Sequence, residues 1–249
     1  MNPGLRWIAR VALLMGALPG AEGAWAAEAA AAPTTVERQL VERSNTFRRQ
    51  QGLQPVQVNP ALTAAASEFA RFMARTGRYA HDADGRQPVQ RTQAAGYAHC
   101  KVAENIAWQF HADGFEPPAL AQAFVQGWID SPPHRHNLLA PEATDIGVAV
   151  ARSAASGRHY AVQVFGRPAA LRLRVELSNR SQQAVQYRLD GRPYALPAGT
   201  TRWHEPCAPP TVALQLPGRA EALTLRPGAG AQIRIDAARD GALRVTGGP

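Results

Sequence analysis

The sequence predicts an α+β fold over its first two thirds followed by a small all-β domain, and three observations carry that prediction. Between residues 34 and 139, apolar side chains recur at three-and-four spacing behind helix start signals. Between 146 and 164, two runs alternate large apolar with small or polar residues on either side of a Ser-Ala-Ala-Ser-Gly turn at 153–157. Beyond Pro168 no helical period is found, only short alternating runs.

The chain opens with Arg6 and Arg10 ahead of the apolar run Val11 to Leu18, then Ala24-Trp25-Ala26 as a small-x-small cleavage site. This pattern reads as a secretory signal over 1–26, with 27–33 as a short linker and a mature chain in the periplasm or outside the cell. No later stretch approaches the roughly 20 apolar residues that cross a bilayer, so no transmembrane segment is expected in the mature chain.

The first helix starts at a capping box of Thr34 and Glu37, places Val36, Leu40, Ser44 and Phe47 on one face with Asn45 and Arg48 flanking it, and stops at Gly52. The second has Asn59 as cap, Pro60 as its first residue, Leu62, Ala66, Phe69 and Met73 on its core face, and Gly77 as its end. His81 follows on the connection, ahead of an Asp84-Gly85 turn; a calcium loop is disfavoured because the acidic alternation is short and lacks a distal glutamate. Pro88 to Ala95 forms a short helix closed by Gly96, and a loop through Cys100 leads to Ala103-Glu104-Asn105-Ile106-Ala107. There Glu104 has apolar flanks, and a partly buried carboxylate needs a partner. Pro117 and Pro118 open a helix burying Ala121, Phe124, Val125 and Trp128. Ser131 and Pro132 then start a short helix with His134 in its first turn, where the positive end of the helix dipole favours neutral imidazole. Ile146, Val148 and Val150 pair back with Tyr160, Val162 and Val164 as a hairpin.

After the boundary at Gly166-Arg167-Pro168, six or seven strands are expected: Leu171 to Leu177, Val185 to Leu189, Val212 to Leu216, Leu223–Leu225, Ile233–Ile235 and Leu243–Val245. That number in about 80 residues suggests a small sandwich or barrel. The domains are thus read as 34–167 and 168–249.

Composition bounds function. Apolar residues make up 45% of the chain, enough for a normal core. The net charge of +8 is almost all arginine and is uneven: residues 34–166 hold 13 basic and 11 acidic residues, residues 168–249 hold 11 and 6. The C-terminal part is therefore the better match for an anionic envelope surface. Aromatics are not interleaved with the arginines as a nucleic-acid groove requires, so no nucleic-acid partner is expected. Export places Cys100 and Cys207 where a single disulfide is allowed; free thiols or a bond to another chain are the alternatives, and the pair is the expectation.

His81, Glu104 and His134 stand beside three different element ends, where sites are commonly assembled. At these positions the chain resembles the CAP superfamily of cysteine-rich secretory, antigen 5 and pathogenesis-related 1 proteins, most closely its bacterial SCP-like branch. The motifs that carry the resemblance are Asn45-x-x-Arg48 with Gly52-Leu53, Tyr79-Ala80-His81, Ala103 to Ala107, Trp128 with Ser131 to Leu139, and Ile146-Gly147-Val148 with Gln163 to Gly166.

The resemblance implies an α-β-α sandwich over about 34–166 with a cleft holding two histidines and two acids. By position these are His81, His134 and Glu104. Where animal and plant members place a glutamate after the helical tryptophan, this chain has Asp130 and then Ser131, so Asp130 is a neighbouring candidate for the second acid. Pro133 stands where relatives have glycine and stiffens the loop; His136 is left outside the site. Three functions follow: binding of a lipid, glycan or other envelope component at the cleft; a divalent-metal hydrolase with His81 and His134 on a zinc-like ion and Glu104 as base; or a scaffold presenting the basic β-domain to an anionic surface.

Overall fold

The computed structural model describes residues 34–247; the export signal read at 1–26 and the linker lie outside the described residues. Helix α1 (Thr35–Gln50) begins at the expected capping box, with Thr34 and Glu37 bonded reciprocally. Helix α2 (Pro60–Thr76) has the Asn59 side chain on the amides of Ala61 and Leu62 and ends at Gly77 in the left-handed conformation, which glycine adopts without steric cost. Helices α3 (Pro88–Ala94), α4 (Pro117–Asp130) and α5 (Pro132–Leu138) each start on proline. Ser131 occupies the N-cap of α5 as expected, but its hydroxyl makes no cap hydrogen bond; the double proline fixes that turn instead.

The sheet between the helices has the order β1-β3-β4-β2, from β1 (Gln57–Val58), β2 (His99–Gln109), β3 (Asp145–Arg152) and β4 (His159–Pro168). The hairpin β3–β4 is the expected one. The segment read as a loop through Cys100 is instead part of the 11-residue strand β2, paired antiparallel with β4 from His99 to Gln109. Polar Glu104, Asn105 and Gln109 interrupt its apolar alternation, which hid the strand.

Alternation divides the sheet's side chains between two cores. Ile146, Val148, Ala161 and Phe165 face α1, α4 and α5 with Trp128 and Phe124. Ala149, Tyr160, Val162, Val164 and Ile106 face α2 with Phe69 and Met73. The architecture is the expected α-β-α sandwich. Arg48, expected to flank the core, is instead fully buried. Its guanidinium donates to the carbonyls of Gln54, Leu138, Ala140 and Ala143, so α1 clamps the far end of α5. Burial lowers its pKa, yet the carbonyls replace the water it has lost.

Gly147 sits where α2 crosses β3, and a Cβ there would overlap the backbone of Leu62 and Thr63. Gly147→Ala must push helix and sheet apart, at a cost of about 2–3 kcal/mol. Urea unfolding checks this; an unchanged midpoint would mean that the layers have slack.

After β4 a short 3-10 turn at Ala169–Leu171 replaces the expected start of a strand, and β5 begins only at Val175 (Val175–Asn179). Two four-stranded sheets then form: β12 (Leu243–Thr246), β11 (Gln232–Ala237), β5 and β8 (Thr201–His204); and β10 (Leu223–Leu225), β9 (Val212–Gln215), β6 (Val185–Leu189) and β7 (Arg192–Leu196). Their inner faces share one apolar core, so this is a sandwich. Strands β7 and β8 raise the expected six or seven to eight; Arg192-Pro193-Tyr194-Ala195 and Thr201-Arg202-Trp203-His204 carry too little apolar alternation to show as strands. A disulfide joins Cys100 in β2 to Cys207 after β8, as expected, with Cα atoms 5.6 Å apart.

Candidate functional site

Strand β2 is a sheet edge, and the site is built across it. The connection after α2 approaches from one face and brings His81; α5 approaches from the other and brings His134. Side chains from both layers cap the outward carbonyls of β2, a common way to close an edge. Ile106 accepts from Tyr79 Oη at 3.0 Å and Trp128 Nε1 at 3.4 Å, and Glu104 accepts from Asn137 Nδ2 at 3.2 Å.

Helix α5 is also held from within. Asn105, fully buried, donates to the His134 carbonyl at 3.2 Å and to Gln163 Oε1 at 3.0 Å, and accepts from Asn137 Nδ2. Gln163 continues to Ser44 Oγ at 2.8 Å, and Ser44 to the Leu40 carbonyl. This buried polar chain fixes the backbone of His134 against β2 and α1, each member satisfying the next.

On the other side, His81 Nδ1 lies 2.8 Å from Glu104 Oε1. A carboxylate only accepts, so Nδ1 carries the proton and Nε2 is the ring nitrogen left for a ligand. His81 is half exposed, whereas the Glu104 side chain is only 2% exposed. Behind Glu104 stands Arg91 of α3, 1% exposed, whose Nη2 donates to both Glu104 oxygens at 2.9 and 2.8 Å and to the His81 carbonyl at 2.9 Å. Its Nη1 donates to Asp84 Oδ1 at 2.8 Å and to the Arg86 carbonyl. The guanidinium lies over the Phe69 ring, 3.6 Å from its centroid. Both terminal nitrogens of this cation are thus met by acceptors, and one face of the guanidinium lies on a π ring.

Asp84 is the second carboxylate of the cluster, on the Nη1 side of Arg91. Burial pushes its pKa up, but the Arg86 amide and the Arg91 and Arg86 guanidiniums outweigh burial and hold it below the usual carboxylate value. Asp130 is exposed at the end of α4, its carboxylate accepting from Gln126 one turn earlier. His136 is exposed on α5. Burial lowers the pKa of His134, and the nearby His81 lowers it further, so His134 is held neutral at physiological pH. The direction matches the sequence expectation; its causes here are burial and the second imidazole.

Arg91 and the role of Asp84 were not read from the sequence. The available signal was one arginine in the seven-residue helix Pro88–Ala94, seven residues after an Asp-Gly turn, but exposed arginines look the same in sequence.

A family model described as the cysteine-rich secretory protein family, CAP, matches residues 41–165, half of the chain. The chain belongs to the CAP family. Within it, the uncharacterized protein YkwD of Bacillus subtilis is 30% identical over 126 residues, which cover 49% of this chain and 46% of that protein. The chain thus spans about half the length of this curated relative. An outer surface protein of Borrelia burgdorferi is 19% identical, with a TM-score of 0.47 over 53% of this chain and 92% of that one. An extracellular SCP-domain protein of Bacillus anthracis is 24% identical, with a TM-score of 0.45 over 53% of this chain and 40% of that one.

Among the described residues no group of three or more His, Cys, Asp or Glu side chains that could hold a metal ion is found. Glu104 and Asp84 both hold Arg91.

Proposed function

We propose that this CAP protein works outside the cytoplasm as a binding protein, taking an envelope component at the edge of β2 through His81 Nε2 and the neutral imidazole of His134. The observation that carries this reading is Arg91. Two hydrogen bonds from a buried guanidinium and one from His81 occupy the Glu104 carboxylate, so Glu104 acts by orienting His81 and is badly placed to take a proton from water. Export is supported by the Arg6/Arg10 pattern ahead of its apolar run and by the Cys100–Cys207 bond. Among the described residues no helix is long and apolar enough to cross a membrane.

The test is retention of the oxidised protein on two probes, purified peptidoglycan and vesicles containing phosphatidylglycerol. One of them is expected to retain the wild type, with His81→Ala/His134→Ala weakening retention about tenfold, the scale of losing one or two good hydrogen bonds. Equal retention of the variant would remove the imidazoles from the reading. Zinc at 0.1 mM is expected to raise the melting temperature by less than about 2 °C, the size of shift that a ligand no more concentrated than its Kd produces. A rise of several degrees that disappears in His81→Ala would restore the metal-hydrolase alternative.

A further inference from the structure

The outer face of the β5–β8–β11–β12 sheet carries features that neither fold nor cleft uses. Val175, Leu177, Ile233 and Ile235 point into the sandwich, so Glu176, Ser178, Gln232 and Arg234 point out. Register then places Trp203, Glu176 and Gln232 in one row, and Thr201, Ser178, Arg234 and Thr246 in the next.

Trp203 is 52% exposed, a large apolar surface to leave in water. It is also held: its indole N–H donates to Glu176 Oε2 at 3.0 Å, and the Arg174 guanidinium lies 5.1 Å from its ring centroid. An indole fixed at its edge and still half open is a pre-organised platform, since binding to it costs little rotamer freedom. Around it stand Thr201, whose hydroxyl donates to the buried Ser178, the Gln232 amide and the arginines 174 and 234, with Arg244 on the neighbouring strand β12 opposite Asp236. Two carboxylates stand on this face: Glu176 is engaged by the indole, and Asp236 lies opposite Arg244 in the next row. Strand spacings make this face on the order of 10 by 15 Å, the span of two or three sugar rings.

From this we infer that the Trp203 face binds an anionic polysaccharide. The indole stacks on the apolar face of a sugar ring, Gln232 and Thr201 meet hydroxyls, and Arg174 and Arg234 meet carboxylate or phosphate groups. The basic excess of residues 168–249, 11 basic against 6 acidic, gives the long-range attraction that brings the polymer to the face. This site is separate from the His81–His134 edge, and its test is independent of that one.

Affinity electrophoresis of the oxidised protein should show retardation by polygalacturonate, and much less by neutral dextran, by polyglutamate or by single-stranded oligothymidylate. Trp203→Ala is expected to weaken retardation by polygalacturonate about tenfold, and Trp203→Phe by only two- to threefold, because an aromatic face is kept. Arg234→Gln should weaken it about threefold and flatten its salt dependence. Thermal unfolding of each variant confirms that it is folded. Equal retardation by polyglutamate or oligothymidylate would reduce the face to a general polyanion patch, equal retardation by dextran would remove the role of charge, and a folded Trp203→Ala that binds like wild type would overturn the site.

Discussion

Replacing Arg91 with methionine is expected to lower the unfolding free energy by about 4 kcal/mol at pH 7, the range seen when one partner of a buried ion pair is removed. Methionine matches much of the arginine's volume, so the loss is electrostatic rather than a cavity. It strands Glu104 and Asp84, whose side chains are 2% and 5% exposed, with no cation against Glu104 and only Arg86 left against Asp84. Arg91→Lys is expected to recover little, because an ammonium lacks the planar fork that serves Glu104, Asp84 and two carbonyls together. Acid should narrow the difference between wild type and variant. In the wild type the native pKa of Asp84 lies below its ordinary 3.8, so its contribution is complete above that value and is lost as pH falls through 3.8 toward the native value. His134 adds a separate slope: its native pKa lies below 6.5, so stability is full above 6.5 and declines as pH falls beneath it. Urea unfolding of both proteins from pH 7 to pH 3 measures both effects. A loss under about 1 kcal/mol at pH 7 would mean that water reaches the cluster and that Arg91 is not its organiser.

The layered fold was legible in sequence because burial there is periodic. Leu62, Ala66, Phe69 and Met73 repeat once per helical turn, and Tyr160, Val162 and Val164 at every second residue of one strand, so core, element type and facing layer come from one pattern. The CAP motifs gave His81, Glu104 and His134 their relation to one another, and the structure brings His81 onto Glu104 and His134 within electrostatic reach of His81. What the sequence left unread is polar and buried. Arg48, Arg91, Asn105 and Gln163 have the composition of surface residues, and only the three-dimensional arrangement supplies the carbonyls and carboxylates that make their burial favourable. The edge strand β2 was missed for the same reason: its polar residues at 104 and 105 serve the site and break the strand pattern. Strand β8 follows this rule, since its outward Trp203 and Thr201 belong to a surface rather than a core.

Removing the disulfide with Cys100→Ser/Cys207→Ser is expected to lower stability by about 4 kcal/mol, because the bond closes a loop of 107 residues and restricts the unfolded chain accordingly. The effect should not be uniform. Cys100 lies in β2 four residues before Glu104, and Cys207 follows β8, so the bond ties the strand that carries the cluster to the sheet that carries Trp203. The polar ties beside it are modest: Ala169 N–H donates to the Ala98 carbonyl at 2.8 Å, and Arg167 bridges the carbonyls of Glu142 and Leu171. Each is worth about 1 kcal/mol, too little to keep the separate cores of the two regions in one cooperative transition. Calorimetry of the serine variant is therefore expected to resolve two transitions where the oxidised protein shows one. The lower transition should belong to the β-rich region, whose single core of short strands buries less apolar surface than the two cores of the CAP domain. A single transition at an unchanged temperature would show that the noncovalent junction alone couples the two regions, and the bond would then be irrelevant to the placement of Glu104.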